Sequence, residues 1–75
     1  MLCTYQITAA SRPRVLMRLI QVFDQQSMII SSLELALLDD CVKITLTVDA
    51  DRARAERVRA KLYNQNDILN VDMFL

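Results

Sequence analysis

The sequence contains no histidine and no glycine, and it holds one proline, two cysteines, two tyrosines and two phenylalanines. Without histidine the chain lacks the commonest general base and the commonest metal ligand at neutral pH. Without glycine it cannot build the Gly-rich loops that cradle phosphates, whether Walker-type or dinucleotide-binding. Cys3 and Cys41 form no CxxC pair and are too few for a disulfide framework, which points to two inert thiols. Neither charge sign is in excess, since nine Lys and Arg face nine Asp and Glu. Nothing global therefore draws the chain to nucleic acid or to an acidic membrane. No apolar run approaches the length of a membrane span. The opening Met1-Leu2-Cys3-Thr4-Tyr5-Gln6 goes straight into strand-like alternation rather than a signal region, so a cytoplasmic location is expected.

What the chain does have is aliphatic bulk: 53% of its 75 residues are hydrophobic, which excludes disorder. Seventy-five residues make one domain, 1–75, near the lower limit for a core without staples. So small a body has too much surface to hide all those side chains. Some should lie outside, on a face that meets another chain.

The pattern along the chain gives six elements. Cys3, Tyr5, Ile7 and Ala9 alternate with Leu2, Thr4, Gln6 and Thr8 as a half-buried strand. Ser11 is placed to cap a helix that opens with Arg12 and Pro13, where a missing amide costs nothing. Leu16, Leu19, Ile20 and Phe23 share one helical face, flanked by Val15 and Val22, and the helix ends near Gln26. A turn centred on Asp39-Asp40 then pairs Leu37 with Val42, Leu35 with Ile44 and Leu33 with Leu46, all pointing one way. The other face pairs Ala36 with Lys43, Glu34 with Thr45 and Ser32 with Thr47. Asp49 or Asp51 caps a second helix running to about Asn64, with Ala55, Val58 and Leu62 as its apolar stripe. A last strand, Ile68 to Leu75, turns Val71, Met73 and Leu75 inward and leaves Asp72 and Phe74 outside.

This order predicts an α+β, ferredoxin-like βαββαβ sandwich, with a four-stranded antiparallel sheet and both helices on one face. Right-handed crossovers put the first and third strands at the centre and the second and fourth at the edges. Cys3 and Cys41 then fall at opposite ends of neighbouring strands, out of disulfide range.

Most places where chemistry could hide have a plainer explanation. Arg52, Arg54, Arg57, Arg59 and Lys61 spread around the second helix and read as a solvated face. The open face of the central strands shows Thr4, Gln6, Thr8, Lys43, Thr45 and Thr47, with none of the aromatics that RNA-binding sheets stack on bases. Asp39, Asp40, Asp49 and Asp51 read as turn-formers and caps rather than a calcium loop. The loop Ala10-Ser11-Arg12-Pro13-Arg14 has no paired cysteines for a soft metal. Its end, running into the first helix, is the most informative segment. Free amides and the helix dipole there suit a carboxylate, and an ordinary helix start fits equally well. No catalytic residue emerges anywhere.

The segment Ser11-Arg12-Pro13-Arg14-Val15-Leu16, the helix through Phe23 and Ile29-Ile30-Ser31-Ser32-Leu33 together resemble an ACT domain. The signature of that family is a first strand, an acidic or polar residue, and Pro-Gly-Val-Leu. The likeness spans the whole chain and extends in particular to the short small subunits of acetolactate synthase, isozyme II type. It implies a non-catalytic activating or regulatory subunit in branched-chain amino acid biosynthesis, partnered by a catalytic large subunit. Thiamine diphosphate, magnesium and any FAD would belong to that partner, and this chain would need no cofactor. The alternative is a free-standing, amino-acid-sensing ACT module with a different protein partner. The family's edge pairing implies a homodimer or larger even assembly through Ile29, Ile30, Ser31 and Leu33, within an edge from Met28 to Leu38 that carries no proline or lysine. It also implies an effector site between Ser11, Arg12, Pro13, Arg14 and Val15 of one copy and Ser31 and Ser32 of the other. Arg14 stands where the family has glycine, which makes that site weak or vestigial and counts against valine.

Overall fold

The computed structural model describes residues Met1 to Leu75. Its elements are β1 (Leu2–Ala10), α1 (Val15–Gln25), β2 (Ile30–Leu37), β3 (Cys41–Asp49), α2 (Arg52–Tyr63) and β4 (Ile68–Phe74). Alternation in β1 buries Cys3, Tyr5, Ile7 and Ala9, and alternation in β3 buries Val42, Ile44, Leu46 and Val48. The two strands pair antiparallel with Tyr5 opposite Leu46 and Ile7 opposite Ile44, so the two apolar rows become one surface. β2 adds to the other side of β3 in the register expected from the sequence: Leu33 opposite Leu46, Leu35 opposite Ile44 and Leu37 opposite Val42. A bulge at Ser31 breaks the ladder near its start. β4 pairs with β1, giving the order β2-β3-β1-β4 and the ferredoxin-like architecture predicted above.

Both helices cover the same face of this sheet. Val15, Leu19, Val22 and Phe23 of α1 and Ala55, Val58 and Leu62 of α2 are buried on it. The ring of Tyr5 meets that of Phe23 edge-on at 5.2 Å, and its hydroxyl donates a 2.7 Å hydrogen bond to the Ala55 carbonyl. One buried side chain thus joins the sheet to both helices, and its polar tip is satisfied.

The helix ends show how a glycine-free chain terminates its elements. Asp51 caps α2 through a 2.8 Å bond from the Arg54 amide, one of the two aspartates the sequence offered. At the end of α1 the Met28 amide reaches the Phe23 carbonyl and the Ser27 amide the Asp24 carbonyl. This is the Schellman arrangement, with Phe23 and Met28 both buried as its apolar contact. It requires a left-handed residue, normally glycine, and Ser27 supplies it at φ 57°.

Three expectations are corrected. Ser11 does not cap α1, and the helix does not open at Arg12-Pro13. The residue before proline is steered away from helical geometry, so the chain makes a turn there and enters the helix only after Arg14, which is left-handed at φ 71°. The buried face of α1 is also turned: Val15 and Val22 lie in the core, while Leu16 and Ile20 are half-buried toward the β2 side. Leu75 is exposed beyond the end of β4, and Met73 is half-buried. The cysteines sit as expected. Cys3 pairs with Val48 and Cys41 with Ala10, which separates them by about 23 Å along the sheet, and both are free.

Candidate functional site

The two helices span β3, β1 and β4 and stop short of β2, none of whose residues is buried. Leu33, Leu35 and Leu37 lie on the core-side face, level with buried partners on β3, yet are 41%, 42% and 72% exposed. Ile29 and Leu38 extend this apolar edge at either end. The outer rim of β2 carries no hydrogen-bonded neighbour strand. The sheet therefore ends in an open backbone edge beside an uncovered row of leucines.

Between that row and α1 runs a groove of about 460 Å³. Its floor is Val42 and Ile44, Leu35 and Leu37 form one wall, and Val15, Leu16 and Met17 form the other. Ser11, Arg12 and Arg14 close one end. The volume lies within the range of small-molecule sites. Four of the residues singled out from the sequence, Ser11, Arg12, Arg14 and Val15, thus come together here. Pro13 does not line the groove. Ser31 and Ser32 lie at the far end of β2, where the Ser31 hydroxyl donates to the Thr47 carbonyl at 3.0 Å. Leu16, Met17, Leu35 and Leu37 were not anticipated as site residues. The signal for the last two was present, since an aliphatic row on a strand assigned to a sheet edge has only a helix or another molecule to cover it.

The closed end carries two arginines beside the Asp39-Asp40 turn, whose Asp40 carbonyl accepts from the Ser11 amide at 3.4 Å. No side chain caps α1, and its first turn holds no acidic residue. The amides of Leu16 and Met17 find no backbone or side-chain acceptor, whereas that of Arg18 bonds the Arg14 carbonyl. The Arg14 guanidinium forms no ion pair. Arg12 and Arg18 lie 3.6 and 3.3 Å from the two oxygens of Asp67, which is largely buried behind the loop. The Asp67 carbonyl also accepts from the Ala10 amide at 2.8 Å, so this residue anchors the loop to the start of β4. No acidic side chain lines the groove itself.

The other surfaces are plainer. On the open sheet face the Thr4 and Thr47 hydroxyls bond at 3.2 Å, and Phe74 is exposed at the edge. On α2, Arg54 bonds the Gln26 carbonyl and Arg59 lies over the Tyr63 ring, so part of the basic helix is engaged in holding the fold. Asp39, Asp40, Asp49 and Asp51 gather into no metal-ligand cluster; Asp51 is a cap and Asp49 meets the terminal amine at 2.6 Å. No helix is long and apolar enough to cross a membrane.

No protein-family model matches the chain, and no curated protein matches it by sequence. Solved structures do. The ACT domain from GTP pyrophosphokinase of Chlorobium tepidum superposes with a TM-score of 0.86 at 13% identity, over 99% of this chain and 97% of that one. The acetolactate synthase small subunit from Thermotoga maritima gives 0.85 at 15% identity, over 97% of this chain and 47% of that one, so the present chain spans about half its length. A homoserine dehydrogenase from Thiobacillus denitrificans gives 0.74 at 18% identity, over 99% of this chain and 17% of that one. The order β2-β3-β1-β4, with both helices on one face and likeness over nearly the whole length, establishes that this chain has the fold of an ACT domain.

Proposed function

We propose that this chain is a non-catalytic activating subunit of a thiamine-diphosphate-dependent acetolactate synthase. The observation that carries the reading is the uncovered edge at β2, an assembly surface on a domain whose fold matches an acetolactate synthase small subunit. Two copies pair antiparallel through β2 in this reading, so each partner's Ser31 and Ser32 approach the end of the groove near Leu37. The composite site implied by the sequence resemblance would then be completed by the second copy. Activation follows if the dimer binds the competent state of the large subunit more tightly than the idle state, since only differential affinity shifts a population. The polar sheet face with Thr45, Thr47 and Phe74, and the helix faces with Arg18 and Arg57, remain free for that contact.

The test adds the purified chain to the large subunit and follows acetolactate formed from pyruvate. A rate that rises to saturation, with co-elution on gel filtration, is expected. An unchanged rate without co-elution sinks the synthase reading. The likeness to an ACT domain of a GTP pyrophosphokinase favours a second reading, a regulatory module for another enzyme, which would then take its place.

A further inference from the structure

The charged residues of α2 sort onto two flanks. Glu56, Arg59 and Tyr63 lie on the side of β4: the Tyr63 hydroxyl donates to the Val71 carbonyl, and Arg59 sits 3.9 Å from Glu56 and over the Tyr63 ring. Arg54, Arg57 and Lys61 recur at spacings of three and four and so share the other flank. That flank faces α1, because Arg54 donates to the Gln26 carbonyl at the end of that helix. Arg18 and Gln25 stand about two turns apart on the facing flank of α1, with Arg18 held 3.3 Å from Asp67. A seam of four cations thus runs between the helices on the outer surface. Arg57 and Lys61 are exposed and form no ion pair.

Acids stand only at the ends of the seam. Asp51 caps the start of α2, and Asp67 is shared by Arg12 and Arg18. Asp24 lies on the far flank of α1, beside Leu16, Met17 and Ile20. Over the roughly 10 Å from Arg54 to Lys61 the like charges repel with nothing between them. A chain with as many acids as bases has therefore gathered positive charge on one outer face. None of its cavities is lined by Arg54, Arg57 or Lys61, so the seam is a ridge that meets a surface rather than a pocket for a small anion. It offers no aromatic ring for stacking on bases, since Tyr63 is engaged on the other flank. A protein surface is the polyanion that remains, and carboxylates set against the row would relieve its repulsion. We propose that this seam is the face by which the chain docks on its protein partner, and that the matching surface carries a row of carboxylates. This rests on the reading of the chain as a regulatory subunit and selects the helix face over the polar sheet face.

The experiment has two arms. In the first, a glutamate-rich peptide of about twelve residues is titrated into the full chain at about 50 mM salt and followed by amide chemical shifts. Shifts should gather at Arg18, Arg57 and Lys61. The double variant Arg57→Glu, Lys61→Gln should weaken binding about fivefold or more, and Lys43→Gln on the opposite face should not. Absence of shifts at the seam, an equal loss in Lys43→Gln, or tighter binding of a single-stranded RNA of equal charge would overturn the proposal. In the second arm the large subunit replaces the peptide. The double variant, altered only at exposed positions and checked for folding by circular dichroism, should need about tenfold more chain for half-maximal activation. A double variant that activates like the parent overturns the docking face and leaves the synthase reading standing. A parent chain that neither binds nor activates sinks the synthase reading, and the peptide arm still decides the seam.

Discussion

Replacing Ser27 by glycine should stabilise this protein. Ser27 occupies the left-handed position of the Schellman turn after α1, at φ 57°. For a residue with a Cβ that geometry costs about 1–2 kcal/mol. Glycine removes the cost but brings a more flexible unfolded chain, which returns about 0.5–1 kcal/mol. The Ser27 side chain is exposed, so its hydroxyl is solvated in both states and little else is lost. The net gain is about 0.5–1 kcal/mol. A chain of 75 residues unfolds with an entropy of roughly 0.16 kcal/mol/K, so the gain corresponds to about 3–6 °C in Tm. Thermal melts followed by far-ultraviolet circular dichroism, at one fixed protein concentration because the Tm of any self-associating chain depends on it, give the answer. Ser27→Ala is the control: it keeps the left-handed cost and should stay within about 0.5 kcal/mol of the parent. A glycine variant melting at or below the parent would refute the assignment of strain to this turn.

Stability should also fall on the alkaline side. Burial pushes the Tyr5 hydroxyl well above its usual pKa, with Cys3 and Glu56 adding to the rise, and burial likewise raises the Cys3 thiol. In both cases the folded state holds its proton more tightly than the unfolded one. That stability is whole below the unfolded values, about 9 for the thiol and about 10 for the phenol, and is lost as pH rises through the folded ones. Urea midpoints should be level from about pH 7 to 9 and then drop, and Tyr5→Phe should cost about 1 kcal/mol at neutral pH while flattening the drop above pH 10; an unchanged slope in that variant counts against the role of Tyr5. At the β2 edge, Leu35→Glu should leave the fold intact and turn a dimer into a monomer at about 10 μM, since a charge on an edge strand blocks addition. Light scattering reads the result, and a variant that remains dimeric moves the interface elsewhere.

Much of the architecture was legible in the sequence, and the reasons differ by element. The β2–β3 register could be derived residue by residue because one turn placement sorts two strands at once, and the ladder follows it from Ser32–Thr47 to Leu37–Val42. The α2 stripe of Ala55, Val58 and Leu62 was legible because the rest of that helix is polar or charged. The first helix was harder, having apolar residues on more than one face. Leu16 and Ile20 look as deserving of the core as Val15 and Val22, and only the missing cover over β2 decides between them. The loop residues of the candidate site were found through a short motif. The groove they line was not, because its walls come from residues about twenty positions apart whose exposure depends on where α1 lies. The left-handed backbone at Arg14 and Ser27 was hidden for a different reason: glycine is the usual marker, and this chain has none.

The strand order also has a consequence in time. The β2–β3 hairpin closes through a short turn at Asp39 and Asp40, whereas the β1–β4 ladder joins positions as far apart as Thr4 and Phe74. Hairpins form in microseconds, and distant pairings wait on the closure of long loops. The hairpin is therefore expected to appear early, with Leu33, Leu35 and Leu37 beside Val42, Ile44 and Leu46 on a single uncovered face. Docking of β1 and the helices later hides the β3 row and leaves the β2 row open. The surface most able to capture another strand is thus present from the first moments of folding to the finished molecule. A high concentration of newly made chain should favour intermolecular pairing before the core has closed, so refolding yield should fall as protein concentration rises.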